Sequence, residues 1–142
     1  MGLLDWRFTW FYGNLVTSQR ANSWTLLRRL LAHGHGPWMI ARDFNEILFS
    51  YEKDGVNAWC RVQMEAFQSV VQDCELVDLG YSGPKYTWSN NRSSRLVWER
   101  LDRVLANCAW VNGFPVARVF HLVRASSNHS PILVDVLDQR AR

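Results

Sequence analysis

Ser126-Ser127-Asn128-His129-Ser130-Pro131-Ile132-Leu133 decides how this chain reads. A polar cluster holding one histidine runs straight into an apolar run, which places the imidazole at the mouth of a buried strand. Far upstream, Trp38-Met39-Ile40-Ala41 leads through Arg42 into Asp43-Phe44-Asn45, so a carboxylate and an amide again stand at a strand end. Two polar strand ends in one small domain indicate a metal-assisted phosphodiester site. Such chemistry needs a divalent cation, an oriented water and a stabiliser for charge on the phosphoryl oxygens. Carboxylates and amides suit Mg²⁺, a hard ion that prefers oxygen. An i, i+2 spacing on an extended backbone points Asp43 and Asn45 the same way. Alone, an Asp-x-Asn triplet is usually a turn and a lone histidine usually a satisfied surface residue.

Outward from these segments, the periodicity gives strands mixed with two helices. Trp6, Phe8 and Trp10 alternate with Arg7 and Thr9, the period of a strand. Thr17 or Ser18 can cap a helix reaching His33 with the stripe Trp24, Leu27, Leu30 and Leu31. Gly34 and Gly36 stop it, and Pro37 begins a strand through Ile40 or Ala41. Tyr51 to Asn57 reads as a surface loop. Arg61 to Cys74 reads as a second helix with Met64, Phe67, Val70, Val71 and Cys74 on one face. A short strand or turn entry at Leu76 to Leu79 precedes the turn Tyr81-Ser82-Gly83-Pro84. Tyr86 to Ser89 and Leu96 to Trp98 form a hairpin around Asn90 to Ser94. Then come a strand at Leu101 to Leu105, a short helix at Asn107 to Asn112, and strands at Val116 to Val123 and Ile132 to Leu137. This order indicates an α/β or α+β layered domain. The aromatic stripe Trp6, Phe8 and Trp10 reads as core. Trp88, beside a polar turn, stays open between core packing and contact with a base or sugar.

At 142 residues the chain fits one domain with a real core, and a hydrophobic fraction of 48% with eight Trp excludes disorder. No apolar run is long enough to cross a bilayer, and the N-terminus lacks the layout of a signal peptide. The expected setting is intracellular, nuclear or cytoplasmic. Cys60, Cys74 and Cys108 are widely spaced and read as reduced, mostly buried thiols; no Cys-x-x-Cys pair supports zinc. A net charge of +3 is compatible with a nucleic-acid partner and too mild to establish one.

Joined in order, these segments resemble the endonuclease/exonuclease/phosphatase superfamily, most closely the endonuclease region of plant LINE-type, non-LTR retrotransposon polyproteins. The carrying stretches are Trp6 to Asn14, Trp38 to Ile47, Gln63 to Phe67, Leu76 to Trp88, Glu99 to Leu105 and Ser127 to Ile132. The resemblance implies a Mg²⁺-dependent phosphodiesterase acting on DNA. It places Tyr12 near the scissile phosphate and Asp43 on the attacking water. Asn45 is implied on phosphate or water, and Asp102 behind the catalytic His129. The implied fold is the C-terminal portion of a four-layer α/β sandwich with a mixed, mainly antiparallel sheet.

Three departures from the family pattern bear on activity. Asn128 replaces the Asp that precedes the histidine, so the metal position it matches is degenerate. Arg42 stands where a glycine is usual, a long cation that either crowds the site or substitutes for the metal's charge, and Leu15 replaces a proline. The family's metal-binding Glu belongs to a first half that precedes the segment matching Trp6 to Tyr12; Glu46 and Glu52 are the nearest acidic candidates here. The expectation is therefore a partial, catalytically impaired domain whose uncovered sheet face, with Trp or Phe from the first strand, favours self-association. The alternatives are a non-catalytic nucleic-acid-binding module contacting its partner through Trp88, Arg92, Arg95, Arg100, Arg103 and Arg124, and a relic without selected function. The common reading of such an arginine group is a solvated face.

Overall fold

Apolar residues at successive positions of Trp38-Met39-Ile40-Ala41 can serve two layers at once, and the strand they form is buried on both sides. The computed structural model describes residues 5–56 and 59–137. In it, β1 (Arg7–Tyr12) is followed by a 3-10 turn (Thr17–Gln19), α1 (Arg20–Ala32) and β2 (Trp38–Asp43). A second 3-10 turn (Ser50–Glu52), β3 (Lys53–Asp54), α2 (Arg61–Asp73) and β4 (Leu76–Asp78) come next. The chain continues through β5 (Trp88–Ser89), β6 (Trp98–Glu99), β7 (Asp102–Asn107), α3 (Cys108–Gly113), β8 (Arg118–His121) and β9 (Ile132–Asp135). The main sheet has the order β1-β2-β7-β4, with β1 parallel to β2 and β7 antiparallel to both its neighbours. Two small antiparallel sheets, β3-β6-β5 and β8-β9, stand beside it. The fold is α/β with a mixed, mainly antiparallel sheet.

The pleat divides the core. Phe11, Trp38, Ile40, Leu76 and Leu105 meet Trp24 and Leu27 of α1 and Phe67 and Val70 of α2 on one face. There the Trp24 and Phe67 rings stack at 4.6 Å. Met39, Ala41, Val104 and Ala106 meet Trp110 of α3 and Val119 of β8 on the other, with Ile132 and Val134 of β9 against them. Each large apolar side chain fully buried contributes about 1.5–3 kcal/mol. β2 and β7 are thereby locked as the floor from whose ends Asp43 and Asp102 project.

Several expectations change. β2 runs on to Asp43 and β7 to Asn107, because each is hydrogen-bonded on both edges and burial does not stop at the apolar run. Neither Thr17 nor Ser18 caps α1: both lie in the 3-10 turn, and no side chain caps the helix start. Leu31, assigned to the buried stripe, is 37% exposed. The loop from Tyr51, whose last residue Asn57 lies outside the described residues, hides Glu52 rather than exposing it. Of the thiols only Cys74 is buried; Cys60 and Cys108 are exposed. Trp6, Phe8 and Trp10 are exposed rather than core, because both helices cover the opposite, Phe11 face of this edge strand.

Candidate active site

The site is assembled where β1, β2 and β7 end together. Register places Tyr12 beside Asp43 and Asp43 beside Asp102. Gly13 makes this closure possible: a Cβ there would lie 2.0 Å from the carbonyl oxygen of Phe44, and its N–H donates to the Asp43 carbonyl at 2.8 Å. The third side arrives on the segment between β8 and β9. The Ser130 N–H donates to the Thr87 carbonyl and the Ser89 N–H to the Asn128 carbonyl, which draws His129 onto the sheet end.

His129 donates through Nδ1 to Asp102 Oδ2 at 2.8 Å, and its Nε2 lies 3.6 Å from Asp43 Oδ2. The hydrogen bond to Asp102 is the main reason the imidazole holds its proton above the usual histidine range; burial opposes it, and the charges of Asp102 and Asp43 add to it. Asp43 is buried, and burial raises its carboxyl to about 6, with the neighbouring Asp102 charge pushing the same way. The Asn45 N–H donated to Asp43 Oδ1 at 2.8 Å, His129 and Arg42 pull it down in part. Asp102 is held by its own backbone. Thr87 Oγ1 accepts both the Leu101 N–H at 2.9 Å and the Asp102 N–H at 3.0 Å. Asp43, Asp102 and His129 each bring one ligand atom within 4.8 Å of the others. They line an open cleft of about 550 Å³ with Trp10, Tyr12 and Arg42.

Other candidates lie elsewhere. Asn45 sits next to this cluster, but the strand ends at Asp43. With φ +54° Asn45 is left-handed, and its carboxamide donates to the Gly13 carbonyl at 2.6 Å. The extended i, i+2 alignment therefore does not form. Asn128 points its Oδ1 at the Asn91 amide, 2.5 Å away, and is not part of the cluster. Trp88 is half-buried against Ile47, Met64 and Leu101 while its backbone bridges to His129, so core packing accounts for it. Arg92 and Arg95 are exposed in the hairpin loop. Arg124 lies over the Trp98 ring.

Arg100 and Arg103 form no basic face. They are 7% and 0% exposed and share Glu52 and Asp78 in a buried network of contacts between 2.8 and 3.0 Å. The two guanidinium groups hold both carboxyls below their ordinary values against the opposing effect of burial. Four charges that read separately as a surface are mutually neutralised inside, so Glu52 has no freedom to hold a metal. Glu46 pairs with Arg20 at 2.8 Å, outside the cleft. Thr87, the double acceptor beneath Asp102, carries no signal that separates it from an ordinary strand threonine.

No helix among the described residues is long and apolar enough to cross a membrane. No protein-family profile matches the sequence, and no curated protein matches it. Among solved structures, the chain superimposes on the endonuclease domain of TRAS1, a telomere-specific non-LTR retrotransposon, with a TM-score of 0.58 at 13% sequence identity. The match covers 92% of this chain and 56% of that one. The chain therefore has the fold of that endonuclease domain and spans little more than half of its length.

Proposed function

We propose that the Asp43–Asp102–His129 cleft is a phosphodiester site for DNA, of the endonuclease type, and that this chain binds its substrate better than it cuts it. The observation that carries the reading is His129 anchored on Asp102 at 2.8 Å while its Nε2 faces the cleft beside Asp43. An imidazolium held in this way presents an N–H to a phosphoryl oxygen and stabilises charge as it develops there. Asp43, raised to about 6, is matched to accepting a proton from an attacking water near neutral pH. Tyr12, on the cleft wall, is placed to contact the same phosphate.

The donor set fits Mg²⁺, which takes one or two carboxylates and keeps several waters in sites of this kind. Asp43 and Asp102 would hold it. When bound, the ion supplies polarisation of a phosphoryl oxygen and of water. The set is thin: Asp102 is shared with His129, and no glutamate among the described residues joins the cluster. Few protein oxygens in an open cleft hold Mg²⁺ weakly, which keeps turnover low.

The test pairs cleavage with binding. With Mg²⁺ and supercoiled plasmid the chain is expected to give negligible nicking, while a fluorescein-labelled DNA duplex binds and is lost on His129→Ala. Asn128→Asp is expected not to restore nicking, because that side chain engages Asn91 rather than the cluster. Robust nicking abolished by EDTA and by Asp43→Ala would refute the impairment. Binding indifferent to His129→Ala would refute the nucleic-acid reading.

A further inference from the structure

Alternation along β2 sends Trp38 and Ile40 to the face covered by α1 and α2, and the same alternation would send residue 42 after them. Its register partners, Phe11 and Arg103, do lie on that face: Phe11 in the helix-side core, Arg103 over the Phe67 ring of α2. Arg42 does not follow. Its φ of +124° belongs to a region that residues with a Cβ rarely enter, and it breaks the pleat at this residue. The guanidinium turns to the opposite face, 5.1 Å from the Trp10 ring centroid and 5.5 Å from that of Tyr12.

Beyond these two rings, no polar partner among the described residues accounts for the Arg42 arrangement. Among the described residues the Arg42 guanidinium makes no hydrogen bond or ion pair, in contrast to Arg103, whose two terminal nitrogens bond Glu52, Asp78 and the Arg100 carbonyl. Arg42 lines the cleft that holds Asp43, Asp102 and His129, as do Ser127 and Ser130. Aromatic faces attract a guanidinium and restrict its orientation while leaving its N–H edge free. A planar fork of that kind matches the geometry of a phosphate oxygen pair.

We propose that Arg42 is the phosphate-anchoring residue of this cleft, a fixed cation laid on Trp10 and Tyr12 that holds a DNA backbone phosphate without a divalent ion. The inference rests on the phosphodiester reading of the cleft and adds a residue to it. Two carboxylates facing an incoming phosphate repel it, and a guanidinium that never loses its charge offsets one of them. Trp10 and Tyr12 are positioning residues: they aim the fork and supply no charge.

The experiment measures binding of a fluorescein-labelled DNA duplex by anisotropy, in EDTA, across a salt series. Wild-type binding is expected to persist in EDTA. Arg42→Ala weakens it about tenfold or more, the loss of one charge-assisted contact, and lowers the salt slope by about one. Arg42→Lys recovers the slope but not the full affinity, because charge returns without the fork. Trp10→Leu weakens binding at unchanged slope, which a merely structural role would not produce. Arg42→Gly removes the cation without requiring a strained backbone, so its binding loss in a well-folded chain separates anchoring from misfolding. Arg29→Ala, exposed on α1, leaves binding unchanged. Wild-type affinity in Arg42→Ala, or binding that appears only with Mg²⁺, overturns the proposal. If His129→Ala still abolishes binding in that case, the phosphodiester reading stands and Arg42 alone is dismissed; if neither substitution matters, both fall.

Discussion

Asp43→Asn removes a charge and almost nothing else. Asparagine keeps an Oδ1 to accept the Asn45 N–H, the bond that Asp43 makes at 2.8 Å. The ordinary carboxyl value is 3.8, and in the fold it is about 6. A raised carboxyl favours the folded state while it is protonated. That contribution is complete below 3.8 and disappears as the pH climbs through about 6. At about 1.36 kcal/mol per pH unit of separation, the ionised Asp43 lowers stability near pH 8 by about 3 kcal/mol. Asp43→Asn is therefore expected to be more stable than the wild type by about that much near pH 8, on the order of 10 °C in Tm. The two should converge near pH 4. Urea unfolding of both proteins in EDTA at the two pH values reads the difference directly. Replacing EDTA with Mg²⁺ should then stabilise the wild type more than the variant, which has one carboxylate fewer to hold the ion. A variant no more stable than the wild type near pH 8, or a gap that stays open near pH 4, would refute the argument that burial and Asp102 strain this carboxylate.

Asp102→Asn should lower the His129 pKa, since the bond to Asp102 is what chiefly raises it; NMR titration of the ring carbons measures this. The pair stabilises the fold fully below 6.5 and loses that contribution as the pH rises through the elevated value, so the same variant should flatten stability over that window. Glu52→Gln should reduce stability by about 3–5 kcal/mol in urea, because the buried Arg100 and Arg103 are left with Asp78 alone and one positive charge uncompensated; a loss below about 1 kcal/mol would contradict the network. Arg42→Gly should exceed Arg42→Ala in stability by about 1 kcal/mol, since alanine keeps the Cβ that φ +124° disfavours; equal Tm values would mean the backbone there is unstrained.

Much of the fold is legible because it rests on local periodicity. The Phe67 and Val70 face of α2 and the two-sided run of β2 are patterns that one layer of packing enforces. The Asp102–His129 contact is legible only through the order of segments in a resembling family, since 27 positions separate the pair. The buried arginines are not legible at all. Glu52, Asp78 and the Arg100–Arg103 stretch are far apart along the chain, and only the folded chain neutralises them together. Arg42 escapes for another reason: its positive φ is set by tertiary closure and an arginine carries no sign of it, whereas Asn45 is of a type that tolerates the left-handed region.

His129 belongs to a segment between two strands that form a small sheet of their own, whereas Asp43 and Asp102 are fixed in the main sheet. Two backbone hydrogen bonds, to Thr87 and from Ser89, fasten that segment beside them. Amide exchange at Ser89 and Ser130 should therefore proceed by a sub-global opening of far lower free energy than that protecting Leu105 in the sheet. Each such opening dismantles the imidazole–carboxylate pair while the floor beneath it persists. The fraction of molecules competent at any instant is thus governed by the docking of a short strap, a quantity that global melting curves do not register.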